Sequence, residues 1–507
     1  MKKAKGIEKL QPSKVSQLPK VKTGISGFDE ISFGGLPKGR STLISGSSGS
    51  GKTIFATQFL CEGIAQFNEP GVFVTFEENT TDLKRNVQSF GWEIEQLEDQ
   101  NLWRFIDASI ASENETKIIG EYDLDGLMLR ILDAVKEIKA RRIVLDSMGS
   151  LFHYFDDPST IRRELFKILN LLKKKNLVIL LTSERLDEYG SVSRFGVEEY
   201  ISDNVLILRN VLENEKRRRT IEILKYRGSL HSSGEQSFVI NPTSGIHIIP
   251  LTRLQLTQRS SEVRVSSGNQ QLDDMCGGGF FKDSILLVSG ATGTGKTLMV
   301  TEFIKGGFES GERVLFLAYE ESREQLVRNA SGWGVDFPRM ESSGQLKIQA
   351  IYPESAGLEE HLLNIQMLID EFKPNRFALD SLSAIERGSS KKNFREFLIA
   401  LTSFLKKKEV MAIFTSTSAN IVGGTSVTDS HISTITDTII LLRYAEVFGN
   451  IHRVVTVLKM RGSKHTKSIY EFDIDHEGMK ISSQEFTRMS GILGGMPMLT
   501  ERESSHE

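Results

Sequence analysis

One octapeptide, Gly290-Ala291-Thr292-Gly293-Thr294-Gly295-Lys296-Thr297, carries the strongest structural signal in this chain. It follows the apolar run Ile285–Val288 and precedes a segment with the composition of a helix. A strand, a glycine-rich turn and a helix in this order are the context that a phosphate-binding P-loop requires. The turn predicts backbone N–H groups that converge on phosphate oxygens, a point charge from Lys296 and a Mg²⁺-binding hydroxyl from Thr297.

The same motif occurs earlier in the chain, as Gly46-Ser47-Ser48-Gly49-Ser50-Gly51-Lys52-Thr53 after another apolar run. Lys296 minus Lys52 and Gly268 minus Gly24 both give 244, so the chain contains an internal tandem repeat. Later segments repeat at an offset of 234, as Arg142–Asp146 and Arg376–Asp380 do. Two P-loops in one chain predict two nucleotide sites, and ATP with Mg²⁺ is the expected ligand.

In each half, apolar strands alternate with helical segments, which predicts an α/β fold with a mainly parallel, doubly wound sheet. Each half then closes with a hairpin, predicted from Val205–Leu208 with Arg219–Tyr226 and from the matching residues of the second half. The predicted segments are a polar arm (1–20), an N-terminal domain (21–248), a linker (249–262), a C-terminal domain (263–485) and a tail (486–507).

Composition excludes several classes of protein. The net charge of −3 gives no global basic field for nucleic acid or an anionic membrane. The two cysteines, Cys61 and Cys276, cannot form a disulfide framework, and we expect both to be buried. No apolar run reaches the roughly 18–20 residues that span a bilayer, and no signal peptide follows the basic start. A cytoplasmic protein that does not enter membranes is therefore expected.

Acidic residues follow the strands that should lie beside each P-loop. Because ligands bind at the carboxyl ends of strands in a doubly wound sheet, these side chains should converge on the nucleotide. The aspartates are expected to hold Mg²⁺ together with Thr53 or Thr297, and the glutamates to orient or deprotonate a nucleophile. The alternative is that paired acids only cap a strand end. The residues are the aspartates Asp146 and Asp380 and the glutamate pairs Glu77-Glu78 and Glu320-Glu321.

A basic pair recurs at the offset of 234, as Lys225 with Arg227 and Lys459 with Arg461. Residues two apart lie on one face of a strand. Such a pair can meet the γ-phosphate of a neighbouring subunit, as an arginine finger does. The alternative is a solvated strand face.

Together these features resemble RecA-type ATPases, and over residues 23–475 the chain resembles the KaiC family of circadian clock protein kinases. The resemblance is carried by Leu256–Ser261, Val263–Gly268, Cys276–Ser284 and Asp429–Thr438, besides the two P-loops. It implies a double-ring homohexamer with ATP at each subunit interface. It also implies an N-terminal ring that hydrolyses ATP slowly and a C-terminal ring that phosphorylates and dephosphorylates itself.

The duplication gives an independent reason for this division of labour. Subtracting 234 maps Ser433 onto Glu199 and Thr434 onto Tyr200. A carboxylate cannot accept a stable phosphate and would repel the γ-phosphate. We therefore expect the first half to transfer phosphate to water and the second half to its own hydroxyls. The family match makes Ser433 and Thr434 the phosphosites and Thr428 a transient acceptor; the alternative is that they are ordinary polar strand residues.

The expected mechanism follows from these assignments. Lys296 and Mg²⁺ hold ATP on one subunit while Ser433 or Thr434 of its neighbour attacks in line. Glu320, which is also a candidate metal ligand, serves with Glu321 as the general base. In the first half, Glu77 and Glu78 act on water.

The chain ends sooner than the best-known clock members, whose tail binds the stimulating protein KaiA, and Phe486–Pro497 matches the family only loosely. This argues against regulation by KaiA, whereas binding of a KaiB-like protein to the N-terminal ring is compatible with the resemblance. The competing class is a RecA- or helicase-like, nucleic-acid-dependent ATPase, which needs basic loops facing a channel. Only Lys216–Arg219 is strongly basic, and we interpret it as a solvated or interface turn. A phosphorylation-dependent scaffold without a timing role also remains open.

Overall fold

The structure is a computed structural model that describes residues 18–108, 124–152, 158–194, 196, 198–213, 215–250, 261–417, 432–447 and 450–486. The chain divides into two compact units, residues 1–253 and 254–507. Most of the predicted arm, linker and tail lies outside the described residues, and so does Thr428.

The N-terminal unit alternates strands and helices, with short strands only at its start. Its strands are β1 (Lys20–Val21), β2 (Leu36–Pro37), β3 (Ser41–Gly46), β4 (Gly71–Thr75), β5 (Trp103–Asp107), β6 (Arg142–Asp146), β7 (Val178–Glu184), β8 (Asn204–Glu213), β9 (Lys216–Tyr226), β10 (Glu235–Asn241) and β11 (Gly245–Ile248). Its helices are α1 (Phe28–Ile31), α2 (Lys52–Phe67), α3 (Thr80–Val87), α4 (Ile94–Asp99), α5 (Leu124–Glu137), α6 (Met148–Phe152), α7 (Pro158–Lys174) and α8 (Glu198–Ile201).

The C-terminal unit repeats this order of elements. Its strands are β12 (Arg264–Val265), β13 (Phe280–Phe281), β14 (Ile285–Gly290), β15 (Val314–Ala318), β16 (Leu346–Ala350), β17 (Arg376–Asp380), β18 (Met411–Thr417), β19 (Thr438–Val447), β20 (Asn450–Met460), β21 (Tyr470–Asp475) and β22 (Gly478–Glu485). Its helices are α9 (Gln270–Met275), α10 (Lys296–Glu309), α11 (Arg323–Gly332), α12 (Phe337–Ser342), α13 (Leu358–Phe372), α14 (Leu382–Arg387), α15 (Lys391–Lys407) and α16 (Ile432–Ile435).

Each unit has one large sheet, which among the described residues contains nine strands. The order is β11-β10-β9-β8-β3-β7-β6-β4-β5 in the first unit and β22-β21-β20-β19-β14-β18-β17-β15-β16 in the second. The strands from β8 to β5 are parallel, and so are those from β19 to β16. The P-loop strand of each unit therefore lies inside the parallel part, with both neighbours parallel to it.

Helices cover both faces of the N-terminal sheet. Val72 and Val74 of β4 belong to a buried cluster with Ile131 of α5, whereas Phe73 belongs to another with Phe59 of α2. Successive side chains of a strand point to opposite faces, so α5 and α2 lie on opposite sides of the sheet. This is the doubly wound α/β arrangement that the sequence predicts, and that prediction is confirmed.

The predicted closing hairpins are present, but each is part of a larger antiparallel segment. β8 pairs with β9, β9 with β10 and β10 with β11, and the same succession occurs from β19 to β22. The last two strands of each unit were not predicted. Gly245 and Gly478, which begin the last strand of each unit directly after a tight turn, have φ of 79° and 116°, a conformation that favours glycine.

Candidate nucleotide sites

The two P-loops have the same backbone conformation. Gly49 and Gly51 have φ of 73° and 98°, and Gly293 and Gly295 have φ of 81° and 99°. Positive φ is readily adopted only by glycine, so the glycines of the motif are needed for the turn itself. The last glycine of each loop directly precedes a helix, α2 or α10, whose free N–H groups favour a bound anion.

Each P-loop lysine folds back on its own loop. Lys52 Nζ donates to the carbonyl oxygens of Gly46 and Ser47 at 2.9 and 3.0 Å. Lys296 Nζ donates to those of Gly290 and Ala291 at 3.0 and 2.9 Å. Burial lowers the pKa of both lysines, and neighbouring carboxylates, Glu184 for Lys52 and Asp380 for Lys296, oppose that shift.

The P-loop threonine contacts the aspartate at the end of β6 or β17, the parallel strand that lies one strand away from the P-loop strand. Thr297 Oγ1 donates to Asp380 Oδ2 at 2.7 Å, and Thr53 likewise bonds to Asp146. Burial raises the pKa of both aspartates, and the threonine hydrogen bonds oppose the shift. A hydroxyl beside a carboxylate is a donor set that Mg²⁺ accepts, usually with waters and phosphate oxygens completing its shell.

A second threonine holds each aspartate and was not assigned a role from the sequence. Thr182 of β7 donates to Asp146 Oδ1, and Thr415 of β18 donates to Asp380 Oδ1. Both threonines lie near the carboxyl ends of their strands, and they reach the aspartates because β7 lies next to β6 and β18 next to β17. That adjacency is a property of the strand order.

The glutamate pairs lie at the ends of β4 and β15, as expected, but their surroundings differ between the domains. In the N-terminal domain Glu77 Oε2 accepts from the hydroxyls of Ser147 and Ser150 at 3.2 and 3.1 Å. Glu78 Oε2 accepts from the Asn86 amide at 3.4 Å. Neutral hydroxyl and amide donors therefore surround this pair.

In the C-terminal domain the first glutamate is paired with a cation. Arg387 Nη2 lies 2.9 Å from Glu320 Oε1, and Asn329 Nδ2 donates to Glu321 Oε2 at 2.8 Å. Burial raises the pKa of Glu321, and the charges of Asp380 and Glu320 raise it further. The candidate base Glu320 is therefore bonded to a cation, whereas the candidate base Glu77 is bonded to neutral hydroxyls.

The basic pair of the C-terminal domain contacts the turn that carries the candidate phosphosites. Lys459 Nζ donates to the Thr436 carbonyl at 2.9 Å, and Arg461 Nη2 donates to the Thr434 carbonyl at 2.6 Å. Thr434 is exposed, and the backbone places Ser433 beside it in α16. Thr434, Lys459 and Arg461 therefore share one surface, and both candidate phosphosites belong to a helical turn rather than to a strand.

That surface lies at the edge of the sheet opposite to the P-loop of the same domain. The backbone N–H of Ile285, where β14 begins, donates to Asp437 Oδ2 at 3.0 Å, just after α16. The P-loop follows Gly290, where the same six-residue strand ends. At about 3.3 Å per residue the strand spans about 17 Å, so hydroxyls and P-loop are a strand length apart.

The N-terminal domain has the same arrangement without the hydroxyls. Lys225 Nζ donates to the carbonyls of Glu199 and Ser202 at 2.8 and 2.7 Å. The basic pair differs from prediction in one respect in both domains: β9 ends at Tyr226 and β20 at Met460, so the arginine lies just beyond the strand. Each pair therefore reaches the turn from a strand end.

The basic run Lys216–Arg219 begins β9 rather than forming the hairpin turn. Arg217 Nη1 donates to the Asn210 carbonyl at 2.8 Å, and Arg218 Nη2 donates to Ser237 Oγ at 2.8 Å. Two of its guanidinium groups are thus bonded within the antiparallel segment.

Three further features concern the described part of the chain. Across these residues, no group of three or more His, Cys, Asp and Glu side chains is arranged to hold a metal. No described helix is both long enough and apolar enough to cross a membrane. Cys61 and Cys276 are both buried free thiols, as predicted.

Fold and site together define a tandem RecA-like P-loop ATPase, with a P-loop, an adjacent aspartate and a glutamate pair in each domain. Comparison with known proteins specifies the family. The sequence model of the family described as "ATPase: KaiC" matches residues 21–253 and again residues 265–485. The chain belongs to the KaiC family.

Similar proteins cover nearly the whole chain. Circadian clock protein KaiC3 of Synechocystis sp. is 57% identical over 483 residues, which are 95% of this chain and 95% of the relative. Circadian clock oscillator protein KaiC of Thermosynechococcus vestitus is 53% identical over 482 residues, 95% of this chain and 92% of the relative. That of Synechococcus elongatus is 53% identical over 480 residues, with coverage of 95% and 92%.

Proposed function

We propose that this protein is an ATPase and serine/threonine autokinase that works as a homohexamer in circadian timing or related signalling. The N-terminal ring hydrolyses ATP, and the C-terminal ring transfers phosphate to Ser433 and Thr434 across the subunit interface and removes it again. The names of the relatives, which are circadian clock proteins, support the timing role.

One observation carries this proposal: the candidate acceptors lie at the opposite edge of the sheet from their own P-loop. In-line transfer needs reacting atoms about 3–3.5 Å apart, whereas β14 separates the two by about 17 Å. A hydroxyl on α16 is therefore too far from its own ATP, but it can meet the ATP of an adjacent copy in a ring. Lys459 and Arg461, on the same surface, then approach that γ-phosphate as cations supplied in trans.

The side chains around the C-terminal P-loop divide the work of phosphate transfer between binding and proton removal. Lys296 binds the β- and γ-phosphates, and Thr297 with Asp380 would hold Mg²⁺, which neutralises charge on the phosphate oxygens when bound. Glu320, with Glu321, accepts the proton of the attacking hydroxyl. The γ-phosphorus then bonds to the hydroxyl oxygen as its bond to the β-bridging oxygen breaks, and ADP leaves.

The N-terminal domain carries the same phosphate-binding parts but no hydroxyl pair. Glu199 and Tyr200 stand at the matching positions of α8, so water remains the acceptor there. Glu77 and Glu78 orient that water. This difference supports hydrolysis as the reaction of the first ring.

Mixed subunits test the proposal. One chain carries Lys296→Ala with intact acceptors, and the other carries Ser433→Ala and Thr434→Ala with an intact P-loop. After co-assembly and incubation with labelled ATP, we expect label on the Lys296→Ala chain, although neither chain is labelled alone. Wild-type labelling without labelling of the mixture would refute transfer between subunits, and a wild-type chain that never takes up label would refute the autokinase.

A further inference from the structure

The N-terminal P-loop is held by a segment that we call the strap, residues 185–194, which follows β7. The backbone N–H of Arg185 donates to the Gly46 carbonyl at 3.2 Å, and Ser45 Oγ donates to the Val192 carbonyl. Ser47 Oγ donates to Glu188 Oε1. Three successive residues, from the end of β3 to the start of the P-loop, are therefore bonded to the strap.

Glu188 is the side chain that bridges the P-loop to the sheet. Its Oε2 accepts the backbone N–H of Asn210 in β8 at 3.0 Å, while its Oε1 accepts the Ser47 hydroxyl. Asn210 also reaches the loop directly, through Nδ2 and the Gly49 carbonyl at 3.4 Å. Arg209 Nε donates to the Glu188 carbonyl at 3.0 Å and fixes the strap at that point.

The sequence of the second domain lacks this hydroxyl and this carboxylate at the matching positions. Adding the repeat offset of 244 to Ser47 gives Ala291, which has no hydroxyl. Adding 233 or 234 to Glu188 gives Ile421 or Val422, which have no carboxylate. Both partners are replaced, yet the glycine φ angles of the two loops agree within about 10°. The same glycine conformations therefore occur in a loop whose sequence lacks the Ser47 hydroxyl and the Glu188 carboxylate, so this pair is a feature of the first domain.

The side chain beside the loop also differs between the domains. Asn210 corresponds to Tyr444 at the offset of 234, and Tyr444 Oη donates to the Thr292 carbonyl at 3.4 Å. Among the described residues, a carboxylate thus contacts the first P-loop, whereas a tyrosine hydroxyl contacts the second. The charge of Glu188 favours the protonated form of Lys52 and opposes the lowering of the lysine pKa by burial.

We propose that Glu188 is a positioning residue that restrains the first P-loop in its ATP-binding conformation, through Ser47 and the Asn210 N–H. This rests on the proposed binding of ATP by the N-terminal domain and assigns that site its own affinity-determining support. A restrained loop loses less conformational freedom when phosphate binds, so the bridge increases affinity. A carboxylate that acted only through its charge would do the opposite, because it would repel phosphate.

The test measures binding of the non-hydrolysable analogue AMP-PNP with Mg²⁺ to the full chain, with Lys296→Ala present throughout to remove the second site. Glu188→Val introduces the aliphatic character of the second domain, and we expect its Kd to rise about tenfold, the effect of losing a charge-assisted hydrogen bond. Ser47→Ala should raise the Kd similarly, and the double variant no further. Glu188→Gln should bind nearly as the parent, because its amide can accept from Asn210 N–H and donate to the Ser47 hydroxyl.

Asp187→Asn, which removes an exposed neighbouring charge, is the control and should leave the Kd unchanged. Tighter binding by Glu188→Val, or additive losses in the double variant, would overturn the proposal. An unchanged Kd would overturn it too. Parent protein that binds no analogue would instead count against the proposed function, and thermal melting separates both from a loss of folding.

Discussion

Replacing Arg142 with methionine should destabilise the N-terminal domain selectively. The guanidinium lies completely buried at the start of β6, where Nε is 2.8 Å from Glu69 Oε2. Nη1 donates to the carbonyls of Phe59 and Thr23 at 2.7 and 3.2 Å, and Nη2 to that of Lys22 at 2.7 Å. This one side chain therefore bonds β6 to the P-loop helix α2 and to residues 22 and 23 at the start of the domain.

The size of the effect follows from what the substitution leaves behind. Methionine fills much of the volume and keeps a contact with Phe59, whose ring centre lies 4.6 Å from the guanidinium carbon. It leaves three carbonyls and the carboxylate of Glu69 without this donor. Breaking a buried pair costs about 3–5 kcal/mol, and because Glu69 is 28% exposed we expect about 3 kcal/mol. For a domain of this size that corresponds to a Tm lower by about 6–12 °C.

Differential scanning calorimetry of the full chain measures this, because the second domain contains a matched residue. Arg376 bonds to Glu312 and to the carbonyls of Ser266 and Phe303 at equivalent places. Arg142→Met should lower only the transition of the N-terminal domain, and Arg376→Met only the other. Arg141→Met removes the neighbouring exposed charge as a control. A fall of less than about 2 °C, or an equal fall of both transitions, would show that the bonds of the buried arginine do not stabilise the domain by this amount.

Three further outcomes are expected. Burial raises the pKa of Glu302 to about 7, above its unfolded value, so the C-terminal domain should lose stability as pH rises from about 4.5 to 7. Urea denaturation at several pH values should show that Glu302→Gln loses up to about 3 kcal/mol less free energy of unfolding over this interval than the parent, and an equal loss in both would contradict it. Thr415→Val removes a hydrogen-bond donor from the buried Asp380 and should raise about tenfold the Mg²⁺ concentration that gives half-maximal nucleotide binding. An unchanged Mg²⁺ requirement would show that Asp380 is not a metal ligand. Glu320→Gln should abolish labelling from ATP while retaining ATP binding, whereas Arg387→Ala should leave labelling measurable; undiminished labelling in Glu320→Gln would refute the assignment of the base.

Much of the fold was predictable because its signals are local. A P-loop is eight adjacent residues between a strand and a helix, and its glycine conformations depend on the backbone alone. The strands of the parallel sheet are continuous apolar runs, because both of their faces are covered. The repeat offset then aligned Asp146 with Asp380 and placed the glutamate pairs at strand ends. The additional strands β10 and β11 were not predicted because their polar residues interrupt the alternation of apolar and polar side chains that indicates a strand.

The detail of the site was less accessible, since its partners are distant in sequence. Ser47 lies 141 residues from Glu188, and Thr182 lies 36 residues from Asp146. No local pattern relates such pairs. The first pair meets because β7, which precedes the strap, lies beside the P-loop strand, and the second because β7 also lies beside β6. Arg142 was visible only as the polar start of an apolar strand.

By itself the amino-acid sequence determined two P-loops, their strand–turn–helix setting, the tandem architecture and the loss of the hydroxyl pair in the first half. Each depends on residues that are contiguous or related by the repeat. The tertiary structure alone decided that the acceptor turn lies at the opposite end of β14 from the P-loop. It also decided that Glu188 bonds both to Ser47 of the first P-loop and to the backbone of Asn210 in β8. Strand order and direction bring distant residues together or keep them a strand length apart, and neither is encoded in any single segment.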